Sequence, residues 1–289
     1  MQNNVNLLIT AVLCILPIAF ALMVIYRKRK EQRDFNCAPF KELQRRPAGE
    51  TIRLKLEALD DKINDETMWL VLFPVLLVFG LFTQHPKDWI MPAMFFVISA
   101  GAAAFFGVRL FKLLRARANY RLGFEGERFV SEELSRLMVL GFEIYHDVPF
   151  DGFNIDHVLV GPHGVFVVET KTRRKPVNES GDKKFRVQFD GKFLQWPWGA
   201  DSYGIEQAKN NAKTLATWLS SATGENLWAT PILTLPGWLV ERKAPSDAIH
   251  VLNPKEIYQV CASQPEKLTE PQIRRICHQL DQKCRIAVS

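Results

Sequence analysis

Residues 164–171 read Gly-Val-Phe-Val-Val-Glu-Thr-Lys, an apolar run that ends in a carboxylate and an ammonium group. A short run rich in β-branched and aromatic residues, bounded by turn residues, is typical of a buried strand. Because side chains alternate along a strand, Glu169 and Lys171 point to one face and Thr170 to the other. The run therefore predicts a core strand that presents an acidic and a basic group side by side.

The preceding strand carries a second carboxylate. Residues 153–160 form another strand-like run, and the Gly-Pro-His-Gly turn at 161–164 joins the two runs as a hairpin. Asp156 lies where this strand enters the sheet, and a neighbouring position across the hairpin can bring it beside Glu169. An exposed Asp with a surface Glu–Lys pair is the alternative interpretation.

Converging carboxylate oxygens predict a metal site. Asp156 and Glu169 together would offer the hard oxygen ligands that Mg²⁺ or Mn²⁺ prefers. Lys171 would stand beside them, where its charge could hold an attacking hydroxide and the developing charge of a phosphate. Phosphodiester hydrolysis needs this chemistry, since a bound metal acts as a Lewis acid and makes a nucleophile available near neutral pH.

A third carboxylate, Glu127, is predicted to face the protein interior. At 100° per residue it projects within about 40° of the apolar stripe of its helix, whereas Glu125 projects to the opposite, solvated face. That stripe consists of Val130, Leu134, Leu137 and Met138. Because an unpaired buried carboxylate is costly, we expect Glu127 to meet a cation, a hydrogen-bond donor or the positive N-terminus of its helix.

The rest of residues 113–289 alternates between strand and helix patterns. Further strands are predicted at 142–148, 185–189, 192–196, 228–235 and 249–252, with Asp190-Gly191 as the turn of a second hairpin. Helices are predicted at 123–141, around 205–219 and at 271–284. This order indicates a mixed α/β sheet covered by helices.

Three long apolar runs, at residues 5–26, 68–84 and 89–108, precede this soluble part. About twenty apolar residues cross a bilayer as a helix, and only residues 85–88 separate the second run from the third, as in a helical hairpin. Basic residues follow the first and third runs, and such flanks stay cytoplasmic. We therefore expect three transmembrane helices in a lipid bilayer, with the soluble part on the cytoplasmic side.

Composition narrows the function less than these patterns do. The net charge of +6 and the pI near 9.1 suit an anionic partner, but cytoplasmic flanks of membrane proteins are basic as well. The five cysteines lack a paired CxxC spacing, which argues against a disulfide framework and against a structural zinc site.

Three stretches of the soluble part resemble the nuclease-related domain (NERD) family. They are Gly-Phe-Glu-Gly-Glu at 123–127, Asn-Ile-Asp-His-Val-Leu-Val-Gly-Pro at 154–162 and the run at 164–171, within a resemblance that spans roughly residues 123–238. The family is placed in the PD-(D/E)xK nuclease superfamily. The resemblance therefore implies a restriction-endonuclease-like mixed α/β sheet flanked by helices, preceded here by three transmembrane α-helices.

The resemblance also implies roles for individual residues. It implies metal binding by Asp156 and Glu169, catalysis assisted by Lys171, and Glu127 as the carboxylate of the helix. The glutamine that opens the second helix of the family is matched by Gln207, which flanks the apolar face of its own helix. An ordinary polar helix flank is the alternative for this glutamine.

Basic residues cluster after the Glu-Thr-Lys strand, near Trp196 and Trp198. They are Arg173, Arg174, Lys175, Lys183 and Lys184. Lysine and arginine neutralise phosphates and aromatic rings stack on exposed bases, so the cluster predicts contacts with DNA, or with RNA as the alternative. A solvated hairpin with a buried tryptophan is the competing interpretation.

The chain is expected to divide into five segments. These are an anchor helix at 1–30, a cytoplasmic amphipathic helical segment at 31–67, a transmembrane hairpin at 68–112, the NERD nuclease-like domain at 113–240, and a C-terminal strand and helix at 241–289. The amphipathic segment leaves a homodimer as an open option.

The expected function follows from the resemblance and the apolar runs together. It is that of a multi-pass protein of the bacterial inner (plasma) membrane, which hydrolyses phosphodiester bonds of DNA on the cytoplasmic side with Mg²⁺ or Mn²⁺. The bacterial origin rests on the resemblance alone. The alternative is a catalytically inactive nuclease-fold module that binds nucleic acid or protein at the membrane.

Overall fold

The computed structural model describes residues 44–84, 89–176, 185–244, 246 and 248–286, together with Met23 and Arg27. The apolar run predicted to cross the membrane at residues 5–26 lies outside these ranges, except for Met23. The chain divides into two compact units. The first comprises Met1–Leu43, Ile63–Phe111 and Ala287–Ser289, and the second comprises Gln44–Lys62 and Lys112–Ile286.

The helices and strands with described bounds follow one another in a mixed order. The helices are α1 (Glu50–Gln84), α2 (Ile90–Ser135), α3 (Tyr203–Thr223), α4 (Ile257–Ala262) and α5 (Glu270–Cys284). The strands are β1 (Gln44–Arg45), β2 (Glu143–Phe150), β3 (Phe153–Gly161), β4 (Gly164–Thr170), β5 (Arg186–Phe189), β6 (Leu194–Trp196), β7 (Gly199–Asp201), β8 (Ala229–Thr234), β9 (Leu239–Arg242), β10 (His250–Leu252) and β11 (Arg285–Ile286).

Both long helices are more continuous than the sequence patterns predict. The amphipathic segment at 52–63 and the apolar run from residue 68 form one helix, α1. The run that ends at residue 108 continues through α2 to Ser135. Residues 64–67 and 109–122 contain no glycine or proline, and charged residues by themselves do not end a helix. The change in polarity therefore does not mark a helix boundary.

Two helices among the described residues are long and apolar enough, by length and composition, to cross a membrane. They are Glu50–Gly80 and Ile90–Leu140. Three such spans were predicted, and the first of them falls on residues outside the described part. Within the first unit, Arg109 forms an ion pair with the buried residue Glu66 at 2.6 Å.

The larger sheet of the second unit contains five strands in the order β10-β8-β4-β3-β2. Strands β2, β3 and β4 pair antiparallel, whereas β4, β8 and β10 pair parallel. Val165 and Val167 join the core that contains Leu215 of α3, while Phe166 and Val168 join the core that contains Val130 of α2. Both faces of β4 are thus covered, which explains why its sequence is an unbroken apolar run.

A second sheet, in the order β7-β6-β5-β9, accompanies the one sheet that the sequence predicted. The hairpin about Asp190-Gly191 is confirmed, because β5 pairs antiparallel with β6 across it. Strand β9 then pairs parallel with β5. The sequence pattern missed β9 because four residues, Leu-Val-Glu-Arg, are too short an alternation to distinguish from a loop. The fold is therefore mixed α/β with two mixed sheets flanked by helices.

The helix predicted at 123–141 ends near Gly141 as expected, but through a tighter last turn. Helix α2 stops at Ser135, a 3₁₀ helix covers Arg136–Leu140, and Gly141 adopts the left-handed conformation with φ of 76°. Because three residues per turn replace 3.6, the apolar stripe rotates away from the core in this turn. Met138 is 64% exposed, so the predicted core position of Met138 was wrong.

Candidate active site

The β3–β4 hairpin places Asp156 opposite Glu169. The ladder pairs His157 with Val168, and the register continued by one residue brings Asp156 across from Glu169. Asp156 Oδ2 accepts the backbone N–H of Thr170 at 2.8 Å, which ties this half-buried carboxylate to the end of β4. The hairpin therefore brings the two carboxylates together, as the turn at 161–164 suggested.

Lys171 follows β4 directly and connects the buried carboxylate of Glu169 to α3. Its Nζ donates to Glu169 Oε1 and to Gln207 Oε1, each at 2.8 Å. Asn211, one turn further along α3, donates its Nδ2 to Glu169 Oε2 at 2.9 Å. Both oxygens of Glu169, which is 1% exposed, therefore have a hydrogen-bond donor.

Glu127 is buried in α2, as its helical projection predicted, and Glu125 is exposed. The N-terminus of its own helix does not serve Glu127, because α2 begins far upstream at Ile90. The carboxylate instead accepts the backbone N–H of Gly49, which directly precedes α1. The start of a different helix thus supplies the donor that a buried carboxylate needs.

Gly126 lets α2 approach the chain beyond Lys171. A Cβ built on this glycine would lie 1.8 Å from Thr172 Oγ1, which is shorter than real contacts allow. A larger residue would therefore push α2 away from the site or displace Thr172. Gly126, the second glycine of Gly-Phe-Glu-Gly-Glu, therefore has a packing role that the sequence spacing alone does not reveal.

A fourth carboxylate, Asp147, was not predicted from the sequence. It lies on β2 between two ladder pairs, opposite Asp156 in the same register. Its φ of 49° falls in the left-handed region, where Asp and Asn are enriched among non-glycine residues. The conformation interrupts the alternation of the strand, so that Asp147 and Val148 are both buried. A strict period of two, which was used to assign faces from the sequence, cannot detect this.

Arg46 holds Asp147 from the segment that leads into α1. Arg46 Nε donates to Asp147 Oδ2 at 2.9 Å, and the same oxygen accepts the backbone N–H and the hydroxyl of Thr51 at 3.0 and 2.9 Å. Asn154 Nδ2 donates to Asp147 Oδ1 at 2.9 Å. Arg46 and Asp147 are 101 positions apart in the chain, so no local sequence pattern signals this ion pair.

Burial raises the pKa of three carboxyl groups in this cluster. The pKa of Glu127 rises to about 7, first through burial and then through the charges of Asp147 and Glu169. Burial also holds the pKa of Asp156 well above its usual value, and the charges of Glu169 and Glu127 add to this effect. The pKa of Glu169 is raised by burial, although the ammonium of Lys171 opposes the shift.

A cavity of about 850 Å³ opens onto the cluster. Its lining includes Glu127, Asp147, Asp156, Glu169, Lys171 and Gln207. Arg46 and Lys171 form ion pairs with two of the four carboxylates. The other two, Asp156 and Glu127, lie against the same cavity, which is of a size that holds a small ligand.

The donor atoms around the cavity determine which metal ion could bind there. Among the residues that the structure describes, no three or more His, Cys, Asp or Glu side chains are arranged to hold a metal ion. Donors from Lys171 and Asn211 contact Glu169, and a backbone N–H contacts Asp156. Mg²⁺ needs fewer protein ligands, since it keeps several waters and is usually bound by one or two carboxylates. The hard oxygens of Asp156 and Glu169, in an acid-rich cavity, are of the type that Mg²⁺ or Mn²⁺ takes.

Three of the five basic residues predicted to contact nucleic acid lie on the surface, away from the cavity lining. Arg173 pairs with Asp201 at 3.5 Å, and Arg174 donates to the carbonyl oxygen of Ala118 at 3.1 Å. Lys175 Nζ lies 5.5 Å from the ring centroid of Phe185. All three basic side chains are exposed. Lys183 and Lys184 lie outside the described residues.

The two tryptophans near that cluster differ in exposure. Trp196 is 6% exposed and Trp198 is 54% exposed, and their rings stack with centroids 5.3 Å apart. Trp238 meets both rings edge-on. One tryptophan is therefore core, as the competing interpretation expected, while the other presents an open ring face.

A pair of histidines, His146 of β2 and His157 of β3, is half-buried and buried, respectively. His146 Nδ1 and His157 Nδ1 are 2.8 Å apart, so one ring donates and the other accepts. Thr170 Oγ1 is 3.4 Å from His157 Nε2, and Ser131 Oγ is 3.3 Å from His146 Nε2. Burial lowers the pKa of His146 to about 4 and holds the pKa of His157 well below its usual range. Both rings are therefore neutral near pH 7 and serve the packing of the sheet.

Because the pKa values of the two histidines are lowered in the folded state, we expect the protein to lose stability in acid. An unfolded histidine takes up a proton near pH 6.5, whereas folded His146 does so only near pH 4. Between these values the unfolded state binds more protons, so the free energy of unfolding falls as the pH falls. His146→Asn keeps a hydrogen-bonding group for His157 and should flatten the dependence of the melting temperature on pH from about 7 to 4.5. An equally steep dependence in this variant would exclude His146 as the titrating group.

Residues 122–236 match the family model described as the nuclease-related domain. Comparison with curated proteins finds no match, and comparison with solved structures finds none either. The matched range contains most of the residues that line the cavity, among them Glu127, Asp156, Glu169, Lys171 and Gln207. Other lining residues, such as Arg46, lie outside the match. The chain therefore contains a nuclease-related domain whose cavity is completed by residues upstream of it.

Proposed function

We propose that this nuclease-related domain is active, and that the chain is a membrane-anchored, metal-dependent nuclease that hydrolyses phosphodiester bonds of DNA, with RNA as the alternative substrate. One observation carries the proposal: Asp156, Glu169 and Lys171 lie together against a cavity, with Glu127 buried beside them. Burying several carboxylates near one another is costly, as their raised pKa values indicate. Titratable groups with shifted pKa values that lie together in a cleft are typical of functional sites.

Asp156 and Glu169 would hold the metal ion. They are adjacent across the hairpin, and their oxygens are the hard ligands that Mg²⁺ or Mn²⁺ prefers. When bound, such an ion supplies Lewis-acid chemistry and makes water nucleophilic near neutral pH. A divalent ion would also compensate the negative charge that burial disfavours in this cavity.

The chain itself supplies charge, orientation and a proton site. Lys171 Nζ, held between Glu169 and Gln207, places a positive charge where a phosphate bound in the cavity would develop negative charge. Gln207 orients Lys171 from α3 and leaves the ammonium a donor free to contact a phosphate oxygen. Glu127, whose pKa is about 7, is suited to accept or release a proton at its carboxylate near neutral pH.

The location is proposed from the apolar helices. Two helices are long and apolar enough to cross a membrane. Within the second of them, basic residues at 109–121 follow the apolar part and precede the nuclease-related domain. Basic flanks stay on the cytoplasmic side. We therefore place the domain on the cytoplasmic side of a bacterial inner membrane, with the chain as a multi-pass protein.

Cleavage by the full-length chain in detergent tests the function. We expect cutting of linear, circular or single-stranded DNA, or of RNA, with Mg²⁺ or Mn²⁺, and none in excess chelator. Asp156→Asn removes one of the two metal-binding carboxylates and should abolish cutting. Asp151→Asn, at an exposed position in the turn between β2 and β3, is the matched control and should cut normally. Cutting that survives chelation, or that survives in Asp156→Asn at the wild-type rate, would refute the proposal.

A further inference from the structure

Exposed aromatic rings surround the acidic cavity. Tyr120 of α2, Phe153 of β3 and Tyr203 of α3 all line it, and they are 39%, 39% and 66% exposed. Large aromatic side chains are normally buried for most of their surface. Three open rings from three different elements around one set of carboxylates therefore indicate a ligand with flat surfaces.

The ring of Phe153 is held in place from below. Phe153 stacks on Phe150, with centroids 5.4 Å apart and planes inclined by 14°. Phe150 in turn meets Trp218 edge-on at 6.0 Å and packs against the core. One face of Phe153 is thus covered by protein while its side chain stays partly open to the cavity. A supported, rigid ring can stack on a planar ligand with little loss of side-chain entropy.

Each tyrosine is paired with a lysine ammonium. Lys171 Nζ lies 5.4 Å from the ring centroid of Tyr203, and Lys55 Nζ lies 5.8 Å from the ring centroid of Tyr120. Lys55 also lines the cavity. A positive charge beside a flat ring matches the alternation of phosphate and base along a nucleotide chain. Two such pairs occur on different elements of the same cavity wall.

A single nucleic-acid strand presents both open base faces and backbone phosphates to such a cavity, whereas a duplex does not present open base faces. In a duplex the base faces are stacked on one another, so a protein ring reaches them only if a base leaves the stack. In a single strand the bases are free to stack on aromatic side chains while lysines follow the backbone. The cavity, of about 850 Å³, also has the volume of a pocket for small ligands and does not enclose a double helix.

We propose that the substrate enters this cavity as a single strand or an unpaired end, with Tyr120, Phe153 and Tyr203 stacking on its bases. This inference rests on the proposed nuclease function and adds the substrate class to it. Tyr120 and Lys55 lie outside the residues matched by the family model, so the upstream segment takes part in substrate choice.

Binding without cleavage tests the substrate class. The full-length chain in detergent is titrated, in excess chelator, against fluorescein-labelled strands of about 12 nucleotides, a length within the range covered by single-strand sites. The probes are single-stranded DNA, single-stranded RNA of the same sequence, and a blunt DNA hairpin duplex. Fluorescence anisotropy at one fixed salt concentration should show at least about tenfold tighter binding of a single strand than of the duplex.

Ring variants connect that preference to the cavity. Tyr203→Leu and Phe153→Leu should each weaken single-strand binding by roughly fivefold or more, because each loses a stacking surface. Tyr203→Phe keeps the ring and should bind like the wild type, which separates stacking from misfolding. Trp228→Leu removes an 80% exposed ring that is not part of the cavity lining, and it should have no effect.

The outcomes separate this proposal from the nuclease function. Single-strand preference that depends on the rings supports the proposal, and the DNA and RNA probes show which strand is preferred. Equal or tighter duplex binding, or ring variants that bind like the wild type, would overturn the substrate class. In that case cleavage that still requires Asp156 would leave the nuclease function intact. Failure to bind and to cut any of the probes would overturn both.

Discussion

Lys171→Met is expected to slow nucleic-acid cleavage by about 100-fold or more, the cost of removing one charged or hydrogen-bonding group from a transition-state site. Methionine keeps a long apolar stem but cannot donate to Glu169 or Gln207, which both accept from Nζ at 2.8 Å. It also removes the positive charge that stands where a phosphate would bind. The measurement is the initial cleavage rate with Mg²⁺ or Mn²⁺, alongside the melting temperature of the same preparation.

Lys209→Met is the matched control for that experiment. Lys209 is on α3, two residues after Gln207, and pairs with Glu206 at 3.7 Å outside the cavity lining. Exposed pairs of this kind contribute little, so its cleavage rate should remain near that of the wild type. Equal losses of cleavage rate in the two variants would indicate a general effect of charge removal. An unchanged cleavage rate in Lys171→Met would exclude Lys171 from the proposed chemistry.

Arg46→Met is expected to lower the free energy of unfolding by about 3–5 kcal/mol, the range for breaking a buried ion pair from one side. The Arg46 and Asp147 side chains are 18% and 6% exposed. Without the guanidinium, Asp147 keeps the donors of Thr51 and Asn154 but loses its only ion pair among the described residues. The change is measured by denaturant unfolding of the full-length chain, followed by tryptophan fluorescence.

The neighbouring arginine and a double variant test the cause. Arg45 pairs with Glu143 and Asp281, but its side chain is 44% exposed, so Arg45→Met should cost about 1 kcal/mol or less. Asp147→Asn combined with Arg46→Met removes the unpaired charge and should be less destabilised than Arg46→Met alone. A similar loss of unfolding free energy in both arginine variants, or no recovery of it in the double variant, would contradict the assignment of a stabilising buried ion pair between Arg46 and Asp147.

Periodic local patterns predicted much of the second unit. Strand β4, the hairpin of β5 and β6, the apolar face of α3 and the start of α5 lie close to where the sequence placed them. Hydrophobic periodicity and turn residues act within a few positions of each other, which is why they can be read from one sequence. Helix boundaries between residues 50 and 135 were predicted less well, because neither charged residues nor an isolated glycine such as Gly107 is enough to end a helix where the polarity changes.

The site was predicted in part. The hairpin at 161–164 and the period of a strand placed Asp156, Glu169 and Lys171 together, and helical projection placed Glu127 inward. Their catalytic and metal-binding roles stay predictions. Asp147 was missed because its left-handed backbone conformation depends on the surrounding hydrogen bonds, which no strand pattern records.

The sequence by itself determined which residues alternate, which face a helix buries and which acids lie near a turn, since each of these depends on neighbours along the chain. Only the tertiary structure decided that Arg46 meets Asp147, that Gly49 donates to Glu127, and that Tyr120 shares a cavity with Tyr203. These contacts join segments distant in the chain, and their formation depends on how the helices and sheets pack. Packing is a property of shape and volume in three dimensions, which a one-dimensional pattern does not contain.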